Sequence, residues 1–172
     1  ARSKGLIDYL FPINDKIELW LSEDSLFTIK ESLKIKEGNY KRSREVIFDH
    51  RSNIAILGSD TLKIPRGIHS PYSLFYFFRN KEISQLKGAL NTMQGEKIIP
   101  LNIIIEENIK TTVPAGKFLC TKVNPVKSNN ETFKNKSQMS ILFSNDNNRY
   151  PVKIWLNMKY GSLVLELESI TN

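Results

Sequence analysis

The chain has 172 residues and a formal net charge of +7, and 40% of its residues are hydrophobic. This length suits one domain that buries its own core. The single cysteine, Cys120, excludes a disulfide within the chain and a cysteine-based zinc site, and its alternating surroundings predict a buried thiol. No apolar run approaches about 18 residues, so we expect no membrane-spanning helix.

The excess of positive charge is spread rather than concentrated. Most basic side chains alternate with apolar ones, which is typical of the solvated face of a sheet: Lys30, Lys34, Lys36, Lys110, Lys122 and Lys153. Only Lys41, Arg42 and Arg44 form a local cluster, and no arginine-rich tract or RNA-binding motif accompanies it. We therefore expect no nucleic-acid partner.

Alternation of apolar and polar residues predicts short strands through the first third of the chain. Turn residues separate them at Gly38-Asn39, at Asp49 to Asn53 and at Gly58 to Asp60. The predicted strands are Ile17–Leu21, a second unit formed by Leu26–Lys30 together with Leu33–Lys36, then Tyr40–Phe48, Ile54–Leu57 and Thr61–Ile64.

One aromatic segment lacks this alternation and predicts a short helix from Pro71 to Arg79. Ser70 is a favourable N-cap, and proline suits the first helical position. At helical spacing Leu74 and Phe78 share a face, so packing against a sheet is expected to hold the helix.

Strands resume after this helix and continue to the end of the chain. They are separated by the Pro114-Ala115-Gly116 turn, a polar loop over 124–137, and turns at Asn145–Arg149 and Tyr160-Gly161. The predicted strands are Lys97–Glu106, Asn108–Thr112, Phe118–Val123, Gln138–Phe143, Val152–Asn157 and Ser162–Leu167. The fold class predicted is mainly β: a strongly curved antiparallel sheet or barrel-like meander with one short helix near residues 70–79.

Several short motifs occur in an order that resembles the DUF3108 family of exported bacterial envelope proteins. They are Val46 to His50, then Ser73, Tyr76 and Arg79, then Val113 to Phe118, then Ser144 to Asp146 with Tyr150 to Val152, and finally Tyr160 to Ser162. The resemblance covers nearly the whole chain. Ser70 replaces a usual aspartate, Leu142 replaces a usual tryptophan, and an N-terminal strand pair usual in the family is expected to be missing from this single domain.

The resemblance implies a periplasmic or outer-membrane-associated protein whose signal segment is not in this chain. The family carries no established activity, so the resemblance transfers no catalytic residue and no cofactor. We predict no metal site, because only His50 and His69 supply imidazoles. Asp49 is expected to close a turn through its side chain.

Three functions remain open at this stage. The first is binding of a lipid or other apolar small molecule, with Trp20, Tyr72, Phe75, Tyr76, Phe78 and Arg79 as the candidate site. The second is structural or assembly work with an envelope protein partner, through the surface or sheet edges. The third, an enzyme, is the least favoured, and Asp49, His50 and Arg79 are the residues it would use.

Overall fold

The computed structural model describes residues 12, 14–80, 90–128, 138–158 and 161–171. Contacts divide the chain into two compact units. The first contains the chain up to Leu74 together with Met93–Ile98, and the second contains Phe75–Thr92 together with the chain from Ile99 onwards. That the chain forms a single domain stays a prediction.

The first sheet is an antiparallel meander in which strands follow one another in chain order. Its members are β1 (Lys16–Leu21), β2 (Thr28–Glu37), β3 (Tyr40–Asp49), β4 (Ile54–Leu57) and β5 (Asp60–Lys63). Gly38 has a φ of 57° in the predicted β2–β3 turn, a conformation that glycine adopts without steric cost.

A bulge in β2 changes which side chains face the core. Trp20 is opposite Lys30 whereas Leu21 is opposite Thr28, so Ile29 is an extra residue in the ladder. The interruption places both Thr28 and Glu31 in the interior and leaves Ile29 exposed. Simple alternation along β2 would have buried Ile29 with Glu31.

The core of the first unit lies on β3, β4 and the segment that follows β5. Buried side chains form one apolar cluster: Val46, Phe48, Ala55, Ile64, Ile68 and Met93. Leu57 and Leu62 pack against it.

One helix, α1 (Ser73–Asn80), follows the first sheet. Ser70 caps it as predicted, because the Ser73 amide donates to Ser70 Oγ at 3.2 Å. Leu74, Phe77 and Phe78 are buried, and Tyr72 and Tyr76 are exposed, which confirms the predicted apolar face.

The second sheet is also an antiparallel meander, in the order β11-β10-β9-β8-β7-β6. Its members are β6 (Leu90–Gln94), β7 (Lys97–Val113), β8 (Gly116–Lys127), β9 (Gln138–Ser144), β10 (Pro151–Met158) and β11 (Gly161–Glu166). Val113, Cys120, Leu142 and Val152 form its buried cluster, against which Phe118 and Trp155 pack.

The prediction of a mainly β, antiparallel fold with one short helix is confirmed, but the strands form two open sheets rather than one. The predicted second unit is the single strand β2, and the two predicted strands Lys97–Glu106 and Asn108–Thr112 are the single strand β7. In β7 the break was a bulge between Glu106 and Ile109, where Asn108 has a φ of 61°. The loop predicted from residue 124 begins later, because β8 continues to Lys127; Tyr160 and residues 129–137 lie outside the described part.

Candidate functional site

The aromatic residues predicted to bind a ligand have different surroundings. Phe78 has no exposed surface, so it is a core side chain. Phe75 is half-buried, with its ring centroid 5.9 Å from that of Phe143. Tyr72 and Tyr76 keep large exposed surfaces, and burial raises the pKa of the Tyr72 hydroxyl. A ligand site at the exposed rings stays a prediction.

Trp20 lies in the first unit, on the exposed surface of β1. The Lys30 ammonium lies 5.0 Å from the centre of its ring, in a cation–π contact across the strand pair. Lys30 also pairs with Glu45 at 2.9 Å. Cross-strand contacts therefore account for the position of Trp20, and its predicted role in ligand binding is untested.

The end of α1 is fixed to the β9–β10 turn by two arginines. Arg79 Nη2 donates to the carbonyl of Asn148 at 3.3 Å, and Arg149 Nη2 donates to the carbonyl of Phe78 at 3.0 Å. Because Arg149 reaches a carbonyl in the last turn of the helix, its positive charge complements the helix dipole there. Both arginines thus have a structural role in the second unit.

Asp49 closes the turn after β3, and His50 contacts the backbone of β2. Asp49 Oδ1 accepts the amides of Arg51 and Ser52 at 2.9 and 3.1 Å. Hydrogen bonds from the Ser52 side chain and these amides lower the pKa of Asp49. His50 Nε2 lies 2.7 Å from the Thr28 carbonyl, which can only accept, so this nitrogen carries the proton. The predicted turn is confirmed.

A buried polar cluster lies behind this turn, and no pattern in the sequence indicated it. The Ser70 amide donates to Thr28 Oγ1 at 2.8 Å, and Thr28 Oγ1 donates to Ser73 Oγ at 2.8 Å. His69 Nδ1 lies 3.4 Å from Ser73 Oγ, and desolvation lowers the pKa of His69 to about 4, with a further contribution from His50. Because Ser73 Oγ also donates to the Ser70 carbonyl at 3.1 Å, these hydroxyls are engaged in closing the helix start.

Glu31 and Arg44 form a buried ion pair on neighbouring strands. Glu31 is 2% exposed, and its Oε1 lies 3.9 Å from Arg44 Nη2. Burial raises the pKa of Glu31, and the Ser70 side chain and the Arg44 charge partly offset this effect. Neither Glu31 Oε2 nor Arg44 Nε has a hydrogen-bond partner in the described part of the chain. The pair therefore carries a desolvation cost that few contacts offset.

Strand β11 presents the most unusual surface of the second unit. It is an edge strand, paired with β10 in the described part of the chain. Three consecutive apolar side chains are exposed on it: Leu163 by 43%, Val164 by 43% and Leu165 by 46%. In a half-buried strand alternate side chains are covered, so exposure of all three means that neither face of this edge is packed.

The hydrogen-bond phase of β11 shows which backbone groups face away from β10. The Leu167 amide donates to the Val152 carbonyl at 2.9 Å, which makes Leu167 a bonded position in this register. In an antiparallel ladder bonded and non-bonded positions alternate, and the β10–β11 register has no shift. The amides and carbonyls of Ser162, Val164 and Glu166 therefore point outwards along the edge.

A shallow, open depression of about 380 Å³ lies at the end of the β7–β8 hairpin. It is lined by Lys110, Thr111, Thr112, Lys117, Phe118 and Leu119. The lining residues thus include two lysines and two apolar residues. In the described part of the chain, no helix has the length and apolar content needed to cross a membrane.

The model of the family described as "Protein of unknown function (DUF3108)" matches residues 1–168. The chain belongs to the DUF3108 family. No curated protein and no solved structure matches it.

The motifs that suggested DUF3108 mostly build turns. Asp146 Oδ1 accepts the amides of Asn148 and Arg149 at 2.9 and 3.1 Å and the Ser144 hydroxyl at 3.1 Å. Gly116 has a φ of 131° in the Pro-Ala-Gly turn, where a side chain would be strained. The family motifs in this chain thus specify the fold, and they do not identify a reaction.

Proposed function

We propose that this DUF3108 chain is a non-catalytic assembly protein of the cell envelope, which accepts a partner's strand along the edge of β11. The observation that carries the proposal is the exposed run from Leu163 to Leu165 on an edge strand. Addition of a strand supplies partners for outward backbone groups and covers alternate side chains. The envelope location is the part of the proposal that the motif resemblance implies.

The edge strands of the first sheet carry more charge than β11. Strand β5 has four residues, and two of them, Asp60 and Lys63, are charged. Strand β1 carries a Lys16–Glu18 ion pair at 2.8 Å. Short length and charge are the usual protection of edges against pairing. Strand β11 has one charged residue, Glu166, and Lys153 of β10 pairs with it at 2.5 Å.

Photo-crosslinking tests this proposal. A benzophenone amino acid at position 164 of the full chain, irradiated in cells and as purified protein, is expected to give a covalent adduct. The matched control places the same amino acid at position 61, which is exposed on the β5 edge, and no adduct is expected there. If position 164 gives no adduct in either setting, the proposal is wrong.

A second candidate is binding of an anionic amphiphile, and the depression at the β7–β8 hairpin favours it. Lys110 and Lys117 lie beside Phe118 and Leu119 in its lining, so a carboxylate and an alkyl chain would both find complementary groups. Titration with oleate tests this candidate, with oleyl alcohol as the uncharged control. The double variant Lys110→Gln, Lys117→Gln should weaken oleate binding at least several-fold and leave binding of the alcohol unaffected. Equal oleate binding by the double variant and the unsubstituted protein would exclude the site.

A further inference from the structure

We infer that the strand accepted by β11 is β11 of a second copy of this chain, antiparallel to the first and centred on Val164. This inference rests on the proposed edge function and names its partner. The occupant follows from the side chains of the strand itself, because the exposed run Leu163 to Leu165 is symmetric about Val164, and the backbone phase allows a register centred on that residue.

The backbone phase selects the register. Ser162, Val164 and Glu166 are the outward positions, as derived from the Leu167–Val152 hydrogen bond. With a two-fold axis at Val164, Val164 faces the partner's Val164 and Ser162 faces the partner's Glu166. All outward positions are then opposite outward positions, as an antiparallel ladder requires. An axis at Leu163 or Leu165 pairs only two outward positions, and an axis between residues places outward opposite inward.

The side chains agree with the same register. Leu163 lies opposite the partner's Leu165, and the valines lie opposite each other, so the exposed apolar run covers its own copy. Isologous interfaces require this kind of self-complementary patch. A strand of another protein would have to supply a matching apolar run.

The charge on β11 itself does not oppose this pairing. Glu166 is the only charged residue of β11, it lies opposite an uncharged serine, and Lys153 neutralises it. The two glutamates of the pair are separated by four residue steps, or about 13 Å along the strand. This separation exceeds the screening length of about 8 Å at physiological salt.

The first test measures self-association of the purified full chain by sedimentation velocity over a range of concentrations. We expect a concentration-dependent dimer. Val164→Pro should shift the dissociation constant at least tenfold towards monomer, because it removes an outward amide but no bond to β10. Val164→Thr keeps the amide and should retain the dimer. Circular dichroism of Val164→Pro checks that the monomer is folded.

The second test reads the register and does not depend on the proline variant. Val164→Cys should form a disulfide-linked dimer on oxidation with diamide, because the axis brings the two copies of position 164 within bonding distance. Ser162→Cys should not, since its two copies are separated by four residue steps. The native Cys120 is fully buried and should not interfere.

The outcomes separate this inference from the function on which it rests. A monomer at every concentration, or crosslinking of Ser162→Cys in place of Val164→Cys, overturns the inference. If position 164 then crosslinks to a different protein in cells, the edge function stands with another partner. If it crosslinks to nothing, both are overturned.

Discussion

The buried Glu31–Arg44 pair makes the stability of the first unit depend on pH. The folded-state pKa of Glu31 is raised, so the stabilisation linked to this carboxyl is complete below its unfolded pKa and is lost as pH rises through the folded value. Replacing Arg44 removes a charge that lowers the pKa of Glu31, so the stability lost on raising the pH becomes larger.

Arg44→Met should therefore reduce the free energy of unfolding by about 3 kcal/mol at pH 7. The reduction should be smaller at pH 4, where Glu31 is protonated. Urea unfolding at the two pH values measures this difference. The control, Lys30→Met, breaks the more exposed Lys30–Glu45 pair and should cost less than about 1 kcal/mol. An Arg44→Met effect independent of pH would contradict the assignment of the pair.

Two glycines on positive φ offer a matched comparison of backbone strain and crowding. Gly58 has a φ of 64° and no atom within 4 Å of an added Cβ. Gly67 has a φ of 74°, and its Cβ would lie 2.8 Å from Phe27 Cζ. The Phe27 ring is held between His50 and His69, with centroids 5.4 and 5.3 Å away.

Gly58→Ala should cost about 1 kcal/mol, the cost of the left-handed conformation alone. Gly67→Ala should cost at least about 1 kcal/mol more, because the ring must also move. Thermal unfolding of both variants provides the comparison. Equal losses of stability in the two variants would show that the Phe27 ring moves aside at no energetic cost.

The sequence was sufficient to predict the roles of residues that act through near neighbours in the chain. The Asp49 turn, the Ser70 cap and the buried Cys120 follow from residue type and near neighbours. The Thr28–Ser73 hydrogen bond joins residues 45 positions apart, and no local pattern indicates such a pair. Glu31 was not singled out either, because it lies between the two predicted stretches of β2 and a glutamate is rarely fully buried.

At the scale of elements, the β9–β10 turn is hydrogen-bonded to the end of α1. Asp146 closes this turn through three acceptor contacts. Asp146→Ala should lower the free energy of unfolding by about 2 kcal/mol, because three donors, including the part-buried Ser144 hydroxyl, lose their acceptor. Asp146→Asn keeps Oδ1 and should lose less.

The control for this prediction is Asp60→Ala on the exposed edge of β5, where surface substitutions change stability by about 0.5 kcal/mol or less. Chemical denaturation compares the three variants. If Asp146→Ala behaved like Asp60→Ala, the turn would not anchor the helix end.

Element positions were largely predictable, and the interruptions were not. Turn chemistry at Gly38, Asp49 and Gly116 located the strand ends. The bulge near Asn108 divided one real strand into two predicted ones, and the bulge at Ile29 changed which side chains of β2 face the core. Neither was predictable, because a bulge depends on the partner strand's register. Strand β6 was missed, since Leu90–Gln94 is short and has weak alternation.

At the scale of the molecule, the sequence predicted a mainly β fold, a curved antiparallel sheet or barrel-like meander with one short helix; the antiparallel β fold is confirmed, and its strands are divided between two sheets. The helical segment and residues around it interrupt the run of strands, and nothing local assigns a strand to either sheet. The exposure of β11 was equally hidden, because Leu163, Val164 and Leu165 resemble a buried strand in sequence. Only the pairing order shows that this strand is an edge.

The net charge of +7 gives a further prediction about assembly. Two copies repel each other through their net charge, and salt screens this repulsion. Raising the salt from about 20 mM to about 300 mM should therefore strengthen self-association in sedimentation experiments. Weaker association at high salt would indicate an attractive ionic interface instead of an apolar strand pair.

Residue-resolved hydrogen exchange of the β11 amides tests the edge function most directly. In the monomer the outward amides of Ser162, Val164 and Glu166 should exchange rapidly, whereas those of Leu163 and Leu165, bonded to β10, should be protected. On assembly at high concentration the outward amides should become protected too. Fast exchange at Val164 at every concentration, and with envelope extract present, would contradict the account.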